Sequence, residues 1–244
     1  MSVGPLTVFL AALATALATG LGALPFIGVR AVSSRAVAYA NAVASGLMLG
    51  ASFGLVAEGT RHGSVQSVVG AALGVVAILV ADRVLRARGV PAHPSPGLGG
   101  RRALLLMIVM TAHSFAEGVA VGVSFGGTAT LALVITVAIS IHNIPEGLAI
   151  SAVLRPQGAS IAACAWWSVV SSLPQPVMAV PAYLFVGAFA PALPYGLGFA
   201  AGAMAFMVLV ELLPEAYDQA EKHAVAAIVS VTLVGMVLLQ RLLG

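Results

Sequence analysis

The feature that most constrains this chain is a succession of apolar stretches, each about twenty residues long and carrying few or no charges. As α-helices such stretches are long enough to cross a hydrocarbon core of about 30 Å. Only 8% of the 244 residues are charged and 60% are hydrophobic, whereas a water-facing surface needs roughly 25–35% charged residues. The chain therefore reads as an all-α integral membrane protein, with one transmembrane domain over residues 1–244. Apolar runs separated by Gly, Pro and Arg predict eight spans, near 6–28, 36–58, 64–82, 102–124, 129–153, 158–186, 194–214 and 223–243. The connection at about 87–101, rich in Gly and Pro and carrying His93, is the one long loop expected. No Lys or Arg precedes Arg30, so the first stretch lacks the basic leader of a signal peptide and is expected to be an uncleaved span.

The basic residues set orientation. Arg30, Arg35, Arg83, Arg86, Arg88, Arg101, Arg102, Arg155 and Lys222 fall in odd-numbered connections, and only Arg61 and Arg241 fall on the other side. By the positive-inside rule both termini are extracytoplasmic and the 87–101 loop is cytoplasmic. The net charge of +3 comes from singly placed residues and forms no stripe for nucleic acid. Cys164 is the single cysteine, which excludes a disulfide framework and a Cys-rich zinc site. It is expected to be a small buried apolar residue.

Glu117, Glu146 and Glu211 fall inside predicted spans, as do His113 and His142. A carboxylate near the bilayer centre costs about 2.5–3.5 kcal/mol on insertion scales. Every Lys and Arg is already placed in a connection or at a helix end, so the compensating charge must come from protons or a bound cation. The run His113-Ser114-Phe115-Ala116-Glu117 sets an imidazole and a carboxylate one helical turn apart on one face. His142-Asn143-Ile144-Pro145-Glu146 repeats the arrangement in the next span. Consecutive spans run antiparallel and both histidines lie about twelve residues from a helix start, so the four side chains are expected to meet near the midplane. Two imidazoles and two carboxylates suit a borderline-soft divalent ion, zinc first; cadmium, iron, manganese, nickel and cobalt use the same ligand types.

Other residues have competing readings. Pro145 deletes one main-chain hydrogen bond at membrane depth, and Pro174 and Pro176, flanking Gln175, predict a similar break. Met48 alone is core filler, although it too lies about twelve residues into its span. Ser114 and Asn143, three residues before the glutamates, are either accessory oxygen ligands or interhelical hydrogen bonders. Glu58 with His62 at the outer end of span two, and Glu215 beyond the deeper Glu211 in span seven, are either interfacial groups or the two ends of an ion path. Asp82 is expected to pair with Arg83 or Arg86, and His93 and His223 to be solvated.

At these motifs the chain resembles the ZIP (Zrt/Irt-like) divalent metal transporters, especially their bacterial GufA-like branch. The resemblance rests on GLMLGAS, HSFAEGVAVGVSFG, HNIPEGLAI, SSLPQP and AGAMAFMVLVELLPEA, in that order along nearly the whole chain. It implies zinc uptake across a bacterial inner membrane by a homodimer, in which spans one, four, five and six slide against a scaffold. It also implies a midplane site in which Met48, His113, Glu117 and Glu146 hold one metal. Glu117 and Glu146 would bridge to a second, completed by positions 114, 142, 143 and 175. Here the chain departs from the pattern, with Ser114 in place of the usual Asn and Gln175 in place of Glu. Two rival readings remain: an intramembrane metalloprotease, whose H-E-x-x-H string is not in the chain, and a proton-driven carrier of an organic substrate.

Overall fold

A computed structural model of the chain describes residues 4–27, 33–89, 101–126 and 129–243, which are helical throughout with short connections and no strand. Arg30, His93 and most of the expected cytoplasmic loop lie outside the described residues. Helix α1 (Pro5–Gly20) tightens into a 3₁₀ segment at Leu21–Phe26. It is followed by α2 (Ser34–His62), α3 (Ser64–Ala87), α4 (Arg101–Phe125) and α5 (Ala129–Leu154). The second half comprises α6 (Ile161–Ser172), α7 (Pro174–Leu184), the single turn α8 (Val186–Phe189), α9 (Leu193–Met207), α10 (Leu213–Gln219) and α11 (Lys222–Leu243). Residues Val208–Leu212 form a π-helical turn that joins α9 to α10.

Local chemistry sets the helix ends. The hydroxyls of Ser33 and Ser160 accept the backbone N–H groups of Ala36 and Ala163, both at 3.1 Å, capping α2 and α6. Pro5 and Pro174 stand in the first turns of α1 and α7, where the missing N–H leaves no helical bond unmade. The helix stops at Ser172 and restarts at Pro174, so the predicted sixth span is two short pieces meeting at Leu173. In α5, by contrast, the helix runs through Pro145. Among the described residues seven helical stretches are long and apolar enough to cross a membrane; the broken α6–α7 pair falls short because neither piece has the length alone.

The helices sort into two packed groups. In one, α1, α4, α5, α6 and α7 contact one another; in the other, α3 packs on α9 and α2 on α9, α10 and α11. Seams between α4 and α9 and between α2 and α5, each as extensive as the α4–α5 contact, join the groups, with a smaller one between α3 and α4. The main apolar core lies along these seams, built from residues such as Met48, Leu106, Met110, Ile150 and Met204. A smaller cluster of Val8, Ala12, Val121 and Ala179 ties α1 to α4 and α7. On the outside the polarity is inverted relative to a water-soluble protein. Only 11% of the apolar stretch of α11 and 17% of that of α3 is buried, and Val65, Val68, Leu73, Val231, Leu238 and Leu242 point outward. In lipid such faces carry no penalty, because the solvent is as apolar as the side chains.

Candidate metal site

The paired His–Glu motifs lie on α4 and α5, which pack against each other in the first group. His113 and Glu117 are one turn apart on α4, with Nε2 of His113 3.3 Å from Oε1 of Glu117. Across the helix pair, the same nitrogen lies 2.8 Å from Oε1 of Glu146. All three residues are at most 2% exposed. One ligand atom from each falls within 4.8 Å of the others. One imidazole nitrogen between two carboxylates offers a charge of −2 in three ligands, which matches a single dication that prefers nitrogen and oxygen donors.

A chain of buried polar groups reaches Glu117 from behind. The side-chain amide of Asn143 donates to the backbone carbonyl of Thr15 at 2.7 Å and to Oε1 of Gln175 at 3.1 Å. Gln175 in turn donates from Nε2 to Oε2 of Glu117 at 2.6 Å. The Thr15 hydroxyl reaches Gln175 Oε1 and lies 2.7 Å from the Ala12 carbonyl. One turn further along α1, the hydroxyls of Thr19 and Ser172 are 2.8 Å apart. Asn143, Gln175, Thr15 and Thr19 are fully buried.

The glycine that follows each motif glutamate makes this convergence possible. A Cβ on Gly118 would meet the backbone of Gln175, and a Cβ on Gly147 would overlap the carbonyl of Thr19. Without side chains at these two positions α7 and α1 close onto the motif helices, and short polar side chains can span the gap.

The other sequence-predicted residues are distributed as follows. Gln175 occupies the first turn of α7, immediately after the break. Ser114 is fully buried beside the motif, with no hydrogen-bond partner for its Oγ among the described residues; the same holds for Oδ1 of Asn143. Met48 is buried on α2 in the main core. The backbone of His142 belongs to α5, but its side chain lies outside the described residues.

Further from the cluster, Glu58 is half-exposed at the end of α2, 3.2 Å from Arg61 and 3.1 Å from His62. Asp82 pairs with Arg86 at 2.6 Å, as one of its two expected partners. Glu211 sits in the π-helical turn, and Glu215 on α10 accepts from the amide of buried Asn41 at 3.0 Å. Thr15, Thr19 and Asn41 were not signalled by any motif. Thr15 and Thr19 stand one turn apart on a helix that carries Thr7 as well, and hydroxyls in an apolar helix ordinarily bond their own preceding turn.

The arrangement defines a helical membrane protein with a buried His–Glu cluster suited to a divalent metal. The profile of the family described as ZIP Zinc transporter matches residues 95–239. Zinc transporter GufA of Myxococcus xanthus is 34% identical over 221 residues, covering 85% of this chain and 87% of that protein. Zinc transporter ZupT of Corynebacterium glutamicum is 32% identical over 230 residues, covering 85% and 88%. A proposed zinc transporter of Arabidopsis thaliana is 43% identical over 234 residues, covering 94% of this chain and 38% of its own length. The chain thus spans well under half of the plant relative but most of the two bacterial ones. It belongs to the ZIP family, whose named members are transporters rather than enzymes.

Proposed function

We propose that this chain carries a divalent transition metal, zinc in the first instance, through the membrane into the cytoplasm. The observation that carries this reading is the convergence of His113, Glu117 and Glu146 within 4.8 Å at a buried position. Two carboxylates in an apolar interior are costly as bare anions and favourable as ligands of a dication. On this reading Met48 would add a soft thioether to this set, with Ser114, His142, Asn143 and Gln175 as the accessory residues of the motifs. Zinc, cadmium, iron, manganese, nickel and cobalt all accept such ligands, and the names of the bacterial relatives favour zinc.

The ion enters near Glu58 and His62, loses water at the cluster, and leaves past Glu211 and Glu215. Release requires the site to face the other side. The two-group packing supports an elevator-type movement, with α1, α4, α5, α6 and α7 sliding against the group built on α2, α3, α9, α10 and α11. The seam is suited to sliding: Ala112, Ala116 and Val119 of α4 face Leu193, Gly196 and Phe199 of α9 around an apolar cleft whose described lining carries no charged side chain. On this reading residues 161–184 cross the membrane as the broken sixth of eight spans, both termini are extracytoplasmic, and the protein is a homodimer in a bacterial inner membrane.

The test is zinc uptake by proteoliposomes. Glu146→Ala should abolish uptake while the purified variant keeps its helical content and elution volume. Uptake by that variant at the unmodified rate would overturn the reading. Metal bound to the protein purified without chelator distinguishes a metal carrier from a carrier of organic substrates. The protease reading has no support in the relatives, which are named as transporters.

A further inference from the structure

We propose that Gln175 makes this a one-cation site: its side-chain amide, pointed by Asn143 and Thr15, donates to Glu117 Oε2 and stands where a second dication would need an anion. This rests on the metal-carrier reading above and adds the number of ions the site takes.

The polarity of the amide chain is set from both ends. The Thr15 backbone carbonyl can only accept, so the Asn143 nitrogen, 2.7 Å away, must face it. That same nitrogen lies 3.1 Å from Gln175, so the Gln175 atom there must be its oxygen. The amide nitrogen of Gln175 is then turned to Glu117, 2.6 Å from Oε2, where a carboxylate can only accept. Reversing Gln175 would set oxygen against oxygen at Glu117 and nitrogen against nitrogen at Asn143. The Gln175 oxygen accepts from Asn143 and lies against the Thr15 hydroxyl, whose single proton also faces the Ala12 carbonyl. The atom that faces Glu117 is the amide nitrogen, which cannot ligate a cation.

Charge points the same way. The convergent ligands supply two carboxylates and one imidazole, which neutralise one dication. A second would leave two positive charges uncompensated in a buried, low-dielectric pocket. The further buried oxygens beside the motifs, Ser114 Oγ and Asn143 Oδ1, are neutral. Glu117 is therefore divided in its work, Oε1 facing His113 at 3.3 Å and Oε2 held by Gln175.

The experiment is zinc stoichiometry on the purified full chain, stripped with chelator and dialysed against excess Zn2+, with metal counted per chain by mass spectrometry. X-ray absorption at the zinc edge gives a second readout, since two metals in one site lie roughly 3.5–4 Å apart and scatter from each other. One zinc per chain without a zinc–zinc vector is expected. Gln175→Glu, which supplies one of the two missing charges and replaces the amide donor by an anionic ligand, should bind two and show that vector. Two zincs in the unmodified chain, or one in a folded Gln175→Glu variant, would overturn the proposal and leave metal binding intact. No zinc in either protein would instead bring down the metal-carrier reading and this proposal with it. If Gln175→Glu does not fold, the count and the absorption spectrum of the unmodified chain decide.

Discussion

Gly118 on α4 lies against the backbone of Gln175 on α7, so closely that a Cβ at 118 would stand 2.5 Å from the Gln175 carbonyl oxygen. The obstacle is backbone, which cannot rotate aside, so Gly118→Ala must push α7 outward. The Gln175–Glu117 hydrogen bond, at 2.6 Å, would be lost with it. The expected cost is about 1–3 kcal/mol, the usual range for overpacking a close contact. Thermal unfolding in detergent measures it, and zinc affinity should fall in the same variant. A variant as stable as the parent, with unchanged affinity, would mean that α7 does not depend on this contact.

Asn143 is the donor that faces two acceptors, the Thr15 carbonyl and Gln175 Oε1. Asn143→Asp keeps the shape and removes the donor, setting a carboxylate against a carbonyl in a buried position. Destabilisation of the metal-free protein by about 1–3 kcal/mol is expected, the penalty for leaving buried polar groups unsatisfied. The check is the unfolding midpoint of chelator-treated protein; an unshifted midpoint would show that the amide chain is dispensable.

Glu221 opens α11, its carboxylate accepting the backbone N–H groups of His223 at 3.0 Å and Ala224 at 2.7 Å. These bonds favour the charged form and hold its pKa below the ordinary 4.5. A depressed carboxylate stabilises the fold fully above its unfolded value, and the contribution is lost as pH falls through the lowered folded value. Glu221→Gln should therefore be less stable than the parent at neutral pH, with the gap narrowing below pH 4.5 and closing under strong acid. A gap independent of pH would show that the carboxylate charge plays no part in starting the helix.

Much of the site was legible because its chemistry is local in sequence. The i, i+4 spacing of His113 and Glu117 dictates a shared helix face, and the repeat at Glu146 supplies the second carboxylate. Prolines at 174 and 176 announced the break that sets Gln175 at a helix start. What stayed hidden lies at long range. Thr15 reads like any hydroxyl in an apolar helix, able to bond its own preceding turn, and nothing near it indicates a partner 128 residues away in Asn143. The same holds for Asn41 and Glu215, 174 residues apart. Among the expected ligands, His142 has its backbone on the right helix and its side chain outside the described residues.

The π-helical turn at Val208–Leu212 left no sequence signature, and its effect is one of phase. An α-helix closes a turn in about 3.6 residues, and a π-helical turn takes about one more. The widened turn absorbs the surplus residue. Below it the helix is rotated back by roughly 100°, which brings Glu215 round to Asn41. Removing one residue from that turn would spin the lower segment like a key in a lock and carry the glutamate away from its neighbour.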